Sequence, residues 1–243
     1  MNRHVWFVLG VMLATLILTA SPGAQSTPVS NPSPPSSQME MPAADREQWQ
    51  RVPDIVRSLK LESGSRVADV GAGAGFFSVR LARLVGAAGR VYAVDANPRM
   101  ITRLRERAEK EQLTNLEIVL GDLNDPKLPV DSLDAALIVN AYHEMDQHQA
   151  MLGGIGRALK PGGRLVIVEP TSRVGETYPR ERQALSHEIS LQYVEQDLVQ
   201  AGFEIVDRDL TFATMPGAQD DHHFWMLVAT RPGRRVPSPG AGR

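Results

Sequence analysis

The sequence predicts an α/β fold, with a doubly wound, mostly parallel sheet and helices on both of its faces. Short apolar runs alternate with segments of helical periodicity, and a glycine-rich turn directly follows the first run. Strands separated by helices pair in parallel through right-handed crossovers. Only the last two runs lack a helix between them. Their connection through Met215-Pro216-Gly217 predicts an antiparallel hairpin at the far end of the sheet.

The periodicity predicts each element in turn. Val52, Ile55, Val56 and Leu59 follow helical spacing and open the domain with an amphipathic helix. Seven apolar runs predict strands, at Arg66–Val70, Arg90–Asp95, Leu116–Leu120, Leu133–Val139, Arg164–Val168, Glu204–Leu210 and His223–Thr230. Further helices are predicted over Phe77–Val85, Pro98–Ala108, Gln147–Leu159 and Leu191–Leu198. The polar segment Thr171–Ser190 is too long for a simple connection, so we expect it to fold over the cleft as a lid.

Composition and charge narrow the class of protein. The 243 residues are 42% hydrophobic and 22% charged, which is typical of a globular domain. A net charge of −2 provides no basic excess to neutralise phosphates, so we expect no nucleic-acid partner. Cysteine is absent, which excludes disulfides, thiolate metal sites and a cysteine nucleophile.

The N-terminus predicts export. Arg3 precedes an uncharged run over residues 5–20, and small residues follow up to Ala24, so residues 1–24 resemble a secretory signal peptide or a membrane anchor. A cleaved signal is favoured, because the run falls short of the roughly 20 apolar residues that span a bilayer. We therefore expect an exported protein, periplasmic or secreted, with anchoring through residues 5–20 as the alternative. Residues 25–45 predict a Pro/Ser-rich linker, 46–231 the folded domain and 232–243 a disordered tail.

The residues that follow the strands carry the functional signal, because ligands of such sheets bind at the carboxyl ends of the strands. Gly71, Gly73 and Gly75 follow the first strand with the spacing G-x-G-x-G. The dinucleotide fingerprint read from Gly71 would need Gly or Ala where Phe76 stands. Asp95 ends the second strand, where a carboxylate can accept both hydroxyls of a ribose. Its alternative role as a helix cap falls as easily to Asn97.

These motifs resemble those of class I S-adenosylmethionine-dependent methyltransferases, and are similar to the bacterial ubiquinone/menaquinone-methyltransferase-like group. The resemblance rests on Val67–Gly75, Val91–Pro98, Gly121-Asp122, Tyr142–Glu144 and Leu159–Gly163. It implies a Rossmann-like methyltransferase fold of seven strands with an antiparallel last strand, S-adenosyl-L-methionine as cofactor and a small-molecule acceptor. The residues that the resemblance assigns to the cofactor are Asp69, Gly71, Gly73 and Gly75 for its methionine part, Asp95 for the ribose, Met100 and Asp122 for the adenosine, and Asn140 for the methionyl amino group.

The acceptor side rests on Tyr142 and His143, which follow the fourth strand and are expected to face the methyl group. His143 is predicted to orient the acceptor or to take its proton. The alternative is a surface or capping histidine beside Asp146. No metal site is expected, because His143 and His148 would lie about 140° apart on a helix.

Two other functions remain open. A nicotinamide-dependent oxidoreductase would share the glycine turn and Asp95, but it explains neither the G-x-G-x-G spacing nor Lys160-Pro161-Gly162-Gly163. A non-catalytic cofactor-binding protein on the same scaffold is the second alternative, because the supply of cofactor outside the cytoplasm is not obvious.

Overall fold

The computed structural model describes residues 43–218 and 221–233. The expected signal or anchor, most of the expected linker and residues 234–243 of the expected tail lie outside the described residues. Among the described helices, none is long and apolar enough to cross a membrane.

Seven strands form one sheet in the order β3-β2-β1-β4-β5-β7-β6. Strands β1 to β5 pair in parallel, and β7 lies antiparallel between β5 and β6. The strands are β1 (Arg66–Val70), β2 (Arg90–Asp95), β3 (Leu116–Leu120), β4 (Leu133–Val139), β5 (Leu159–Ser172), β6 (Glu204–Ala213) and β7 (His222–Thr230). The predicted seven-stranded, mostly parallel sheet with an antiparallel last strand is confirmed.

Helices cover both faces of this sheet, as predicted. They are α1 (Ala43–Trp49), α2 (Val52–Ser58), α3 (Phe76–Val85), α4 (Pro98–Lys110), α5 (His148–Ala158), α6 (Arg180–Leu185) and α7 (Leu191–Gln200). Side chains alternate across each strand, so Val67 packs with α2 and α3 on one face, and Ala68 packs with α5 and α7 on the other. Both apolar layers are buried, which fixes the register of the central strands.

Three elements differ from the prediction. Helix α1 lies partly in the expected linker; its polar sequence shows no apolar stripe, and it packs through Trp49 against Phe224 at 5.5 Å between ring centroids. Strand β5 is longer at both ends than expected, because Leu159 pairs with Leu133 of β4 at its start and β7 pairs with it as far as Ser172 at its end. The polar segment before α7 contains α6 and a 3₁₀ turn at Gly175–Thr177, so it is a folded connection.

The order of the strands determines where a ligand can bind. Strands β1 and β4 are neighbours, and the chain continues from them towards opposite edges of the sheet. At this switch point the connections above the two strands diverge and leave a crevice at their carboxyl ends. The glycine turn follows β1 and a 3₁₀ turn at Tyr142–Glu144 follows β4, so both border the crevice.

Candidate functional site

A cleft of about 300 Å³ lies at this crevice, which is the lower end of the range for ligand pockets. Its walls come from the carboxyl ends of β1, β2 and β3 and from the segment after β4. They include Val70, Gly71, Val94, Asp95, Ala96, Asn97, Gly121, Asp122, Leu123, Ala141, Glu144, Met145, Asp146 and Met151. The cleft is mostly apolar, with carboxylates at its rim.

Asp95 joins the rim of the cleft to the glycine turn. Its Oδ2 accepts the backbone N–H of Gly73 at 2.8 Å, and its Oδ1 accepts the N–H of Asn97, also at 2.8 Å. Asn97 itself caps α4, because its Oδ1 accepts the N–H of Arg99 at 3.0 Å. Of the two residues that could cap this helix, Asn97 takes the role, and Asp95 is held at the end of β2 by two backbone donors.

The three glycines of the turn have positive φ angles and different surroundings. A Cβ on Gly71 would come within 2.3 Å of the Cβ of Ala141, and a Cβ on Gly75 within 2.7 Å of Leu104. A Cβ on Gly73 would meet no atom within 4 Å. Gly71 and Gly75 are thus required by packing, whereas Gly73 borders open space beside Asp95. The N-cap residue of α3 is Gly75, which has no side chain to cap the helix, and Asp69 accepts a backbone hydrogen bond from Ser78 in the first turn.

Asp69 lies beneath the turn and does not line the cleft. Its carboxylate is buried and its Oδ2 accepts the hydroxyl of Ser78 at 2.5 Å. Burial raises the pKa of Asp69 to about 6, although the Ser78 hydrogen bonds and the charge of Arg46 lower it. A cationic group bound nearby would favour the ionised carboxylate.

Of the remaining residues assigned to the cofactor, one lines the cleft and two do not. Asp122 lines the cleft, and Lys127 Nζ donates to its Oδ1 at 2.7 Å. Met100 is half-buried in the first turn of α4 and is not a lining residue. Asn140 also does not line the cleft; its backbone N–H donates to the carbonyl of Val168 at 2.8 Å, and its φ is 53°. The structure thus brings Gly71, Asp95 and Asp122 to one cleft, with Gly73 bound to Asp95.

His143 is buried and bound to a carboxylate that the sequence analysis did not assign. Its Nδ1 lies 2.6 Å from Oε2 of Glu169, and its side chain is 1% exposed. The Oε1 of Glu169 accepts the backbone N–H groups of Ala141 and Tyr142 at 2.6 and 2.7 Å. Burial lowers the pKa of His143, but the hydrogen bond and charge of Glu169 and the charge of Glu144 raise it overall. His143 is therefore neither a surface residue nor a cap beside Asp146.

Tyr142 points away from the cleft, which corrects the expectation that it faces the methyl group. Its ring packs in the apolar layer beside α5 and α7, and its hydroxyl donates to Oδ2 of Asp197 at 2.8 Å. Burial and the neighbouring charge of Asp197 raise its pKa. The side chain of His143 leaves the turn towards Glu169 and does not line the cleft either. Tyr142 has a structural role.

Sequence reasoning missed three residues that contact His143 or Tyr142. Glu169 is the charged end of an otherwise apolar run, and Asp197 lies within the apolar stripe of α7. A charged side chain at a buried position of a strand or helix is the signal that identifies both. His187 belongs to the connection between α6 and α7, and its ring lies 5.5 Å from the ring of His143. No local pattern predicts that contact.

Comparison with known proteins identifies a family that agrees with this fold and cleft. Residues 61–213 match the family model described as a methyltransferase domain, which is more than half of the chain. A demethylmenaquinone methyltransferase from Tropheryma whipplei is 35% identical over 146 residues, or 60% of this chain and 55% of the relative. The chain thus spans about half the length of this curated relative.

Solved structures show the same fold. A SAM-dependent methyltransferase from Aquifex aeolicus has a TM-score of 0.66 at 24% identity, covering 80% of this chain and 95% of that one. The [4+2]-cyclase SpnF has a TM-score of 0.65 at 23% identity, covering 76% of this chain and 82% of that one. At these identities the likeness concerns the fold, and the second structure shows that the fold also carries other chemistry.

Proposed function

The chain belongs to the methyltransferase-domain family, and on this premise we propose that it binds S-adenosylmethionine and transfers the methyl group to a small molecule. The observation that carries the proposal is the position of Asp95. Its carboxylate stands at the rim of the cleft beside Gly73, whose missing Cβ leaves open space. A ribose there would donate its two hydroxyls to the carboxylate. Asp122, at the next strand end, would accept the adenine amino group.

The methionine part of the cofactor would lie over the glycine turn. The glycine turn and the first residues of α3 would offer their backbone N–H groups to the carboxylate of the methionine. Asp69 lies beneath the turn, and the positive charge of a bound methionyl ammonium would draw it towards the ionised form. Asp69 thus supports the cofactor by charge from below the turn.

The acceptor would bind on the side of the cleft formed by the segment after β4. Because Glu169 is hydrogen-bonded to Nδ1 of His143, a neutral His143 carries its proton on Nδ1 and a lone pair on Nε2. During transfer the bond from the acceptor to the methyl carbon forms as the sulfur–methyl bond breaks, and the acceptor loses a proton. The Nε2 lone pair would take this proton, and Glu169 would stabilise the resulting imidazolium.

Access to His143 depends on the connection between α6 and α7. His187 projects from that connection and its ring covers the ring of His143 edge-on. The His187 side chain is 58% exposed, so it has room to rotate when an acceptor enters. Within Thr171–Ser190, only the exposed residues around His187 would act as a lid, because Thr171, Ser172, Gln183 and Glu188 are buried in the fold.

The experiment is methyl transfer from methyl-labelled S-adenosylmethionine, with reduced demethylmenaquinone as the first acceptor because the curated relative is named for it. His143→Ala is expected to lower the rate about 10²–10⁴-fold, the usual contribution of a general base, and to leave the cofactor affinity nearly unchanged. His223→Ala removes a histidine on β7 and serves as the matched control. If the protein binds the cofactor but transfers the label neither to the first acceptor nor to a panel of small aromatic hydroxy compounds, the non-catalytic alternative is favoured. Equal losses of rate and cofactor affinity in His143→Ala would place the acceptor elsewhere.

A further inference from the structure

Three side chains that can bind a metal converge beside the cleft, and Glu144 is the one of them that lines it. His143 and Glu144 come from the turn after β4, and His187 comes from the connection between α6 and α7. Oε1 of Glu144 lies 3.7 Å from Nε2 of His143 and 4.0 Å from Nδ1 of His187, and one ligand atom of each residue lies within 4.8 Å of the other two. These separations exceed hydrogen-bonding distance.

The separations suit a small ion. Zinc bonds of about 2.0–2.1 Å place neighbouring ligand atoms of a tetrahedral site roughly 3.4 Å apart. The atoms of the cluster must therefore approach by a few tenths of an ångström to about 1.4 Å. The side chains of Glu144 and His187 are 67% and 58% exposed and can make this movement. His143 is buried and already fixed.

The hydrogen bonds of His143 provide the independent support. Histidine ligands of metal ions commonly donate their second ring N–H to a carboxylate, which fixes the tautomer and the ring orientation. Glu169 is such a carboxylate: it lies 2.6 Å from Nδ1 and is itself held by the backbone N–H groups of Ala141 and Tyr142. Nε2 is thereby kept as the free electron-pair donor, on the side of Glu144.

We propose that His143, Glu144 and His187 bind one divalent ion of the zinc type through two imidazoles and one carboxylate. Imidazole nitrogens select zinc and its transition-metal neighbours over magnesium or calcium. Three protein ligands leave the fourth position open, as in catalytic rather than structural zinc sites. Glu144 also lines the cleft, so the open position is accessible from it. The spacing of His143 and His148 gave no reason to expect a metal; the second histidine is instead His187.

The consequence for chemistry rests on the proposed function. An ion at this place would bind an oxygen of the acceptor, orient it towards the methyl group and lower its pKa. The ion would then occupy Nε2 of His143, so the proton that the acceptor releases would pass to water at the open cleft, and His143 would serve as a ligand in place of the general base. Metal binding itself requires neither the cofactor nor an acceptor.

The test is a titration of untagged, chelator-treated full chain with Co²⁺, a spectroscopic probe for zinc sites, followed by visible absorption. We expect saturation at one ion per chain and competition by Zn²⁺. His187→Ala should weaken binding about tenfold or more, because a ligand is lost, whereas His223→Ala should not change it. Circular dichroism checks that each variant is folded. Equal titrations of wild type and His187→Ala, or the same loss in His223→Ala, would overturn the proposal.

Glu169→Gln tests the support of His143 separately. The two backbone N–H groups orient the Gln oxygen towards themselves, so its NH₂ group faces Nδ1 of His143. The imidazole proton then moves to Nε2, which can no longer bind the ion. We expect metal affinity to fall about 10–100-fold, as for other losses of a carboxylate behind a histidine ligand. Unchanged metal affinity in the folded variant would contradict the proposed site. Cofactor binding is measured on the metal-free chain, so failure of either proposal is recognised without the other.

Discussion

Three buried carboxylates fix the polar residues around the cleft. Asp69 holds Ser78 beneath the glycine turn, Glu169 holds His143 and the backbone after β4, and Asp197 holds Tyr142. Arg180 donates to Asp197 as well, so that charge is paired. Buried charges are costly unless they are hydrogen-bonded, and each of these is. At the scale of single residues, the site is organised from within the core as well as from the strand ends.

The role of Asp95 is tested by Asp95→Ala. If its carboxylate accepts the ribose hydroxyls, affinity for S-adenosylmethionine should fall about tenfold or more, since hydrogen bonds to a charged group contribute about 1.5–3 kcal/mol. Part of the loss will come from the turn, because Gly73 and Asn97 also donate to Asp95. Calorimetric titration measures the affinity. Asp131→Asn removes an exposed carboxylate before β4, at the other end of the strands, and should bind normally. Equal affinities in the two folded variants would leave Asp95 with a structural role only.

Asp69 predicts how stability depends on pH. Because burial raises its pKa from 3.8 to about 6, the folded protein holds a proton that the unfolded chain releases. Its contribution to the free energy of unfolding therefore falls by roughly 3 kcal/mol at most as the pH rises from about 4 to about 6. Above that range the contribution stays low. Asp69→Asn should remove this fall and be the more stable protein at pH 7. Urea unfolding at a series of pH values measures the difference, with Asp131→Asn as control. A difference between Asp69→Asn and wild type that does not grow over this range would contradict the account.

The glycine turn between β1 and α3 is the element that combines packing with binding. Gly73→Ala should lower the free energy of unfolding by about 1–2 kcal/mol, because alanine is strained at a positive φ. It should also weaken cofactor binding, because the added methyl group narrows the cleft. Gly71→Ala should be less stable than Gly73→Ala by about 1–3 kcal/mol, because its Cβ would overlap Ala141. Thermal unfolding ranks the two variants. A Gly73→Ala variant less stable than Gly71→Ala would contradict the packing role of Gly71. A Gly73→Ala variant that binds the cofactor as the wild type does would contradict the binding role of Gly73.

At the scale of the whole molecule, the sheet was predictable and the acceptor side was not. The runs that became β1, β2 and β4 are mostly apolar because both faces of these strands are buried, and that pattern is local. The extra length of β5 depends on pairing with β7, and α1 depends on contacts with Phe224. The contact of His187 with His143 likewise joins segments far apart in sequence. Local periodicity carries no information on such contacts.

Export is the other expectation for the whole chain. We propose that residues after Ala24 lie outside the cytoplasmic membrane, because Arg3 and the uncharged run precede a Pro/Ser-rich stretch. A reporter enzyme that is active only after export, fused behind Gln25, should be active. The matched control places Arg residues within the uncharged run, which should abolish activity. An inactive reporter that is expressed at a normal level would contradict export.

Binding of S-adenosylmethionine in this cleft is the premise of the other functional predictions, and a pair of calorimetric titrations measures it. The full chain is titrated with S-adenosylmethionine and, separately, with NADH. We predict saturable binding of S-adenosylmethionine at one site per chain, at least about tenfold tighter than any binding of NADH, which corresponds to about 1.4 kcal/mol. Saturable binding of NADH without binding of S-adenosylmethionine would contradict this premise and identify the cleft as a nicotinamide site.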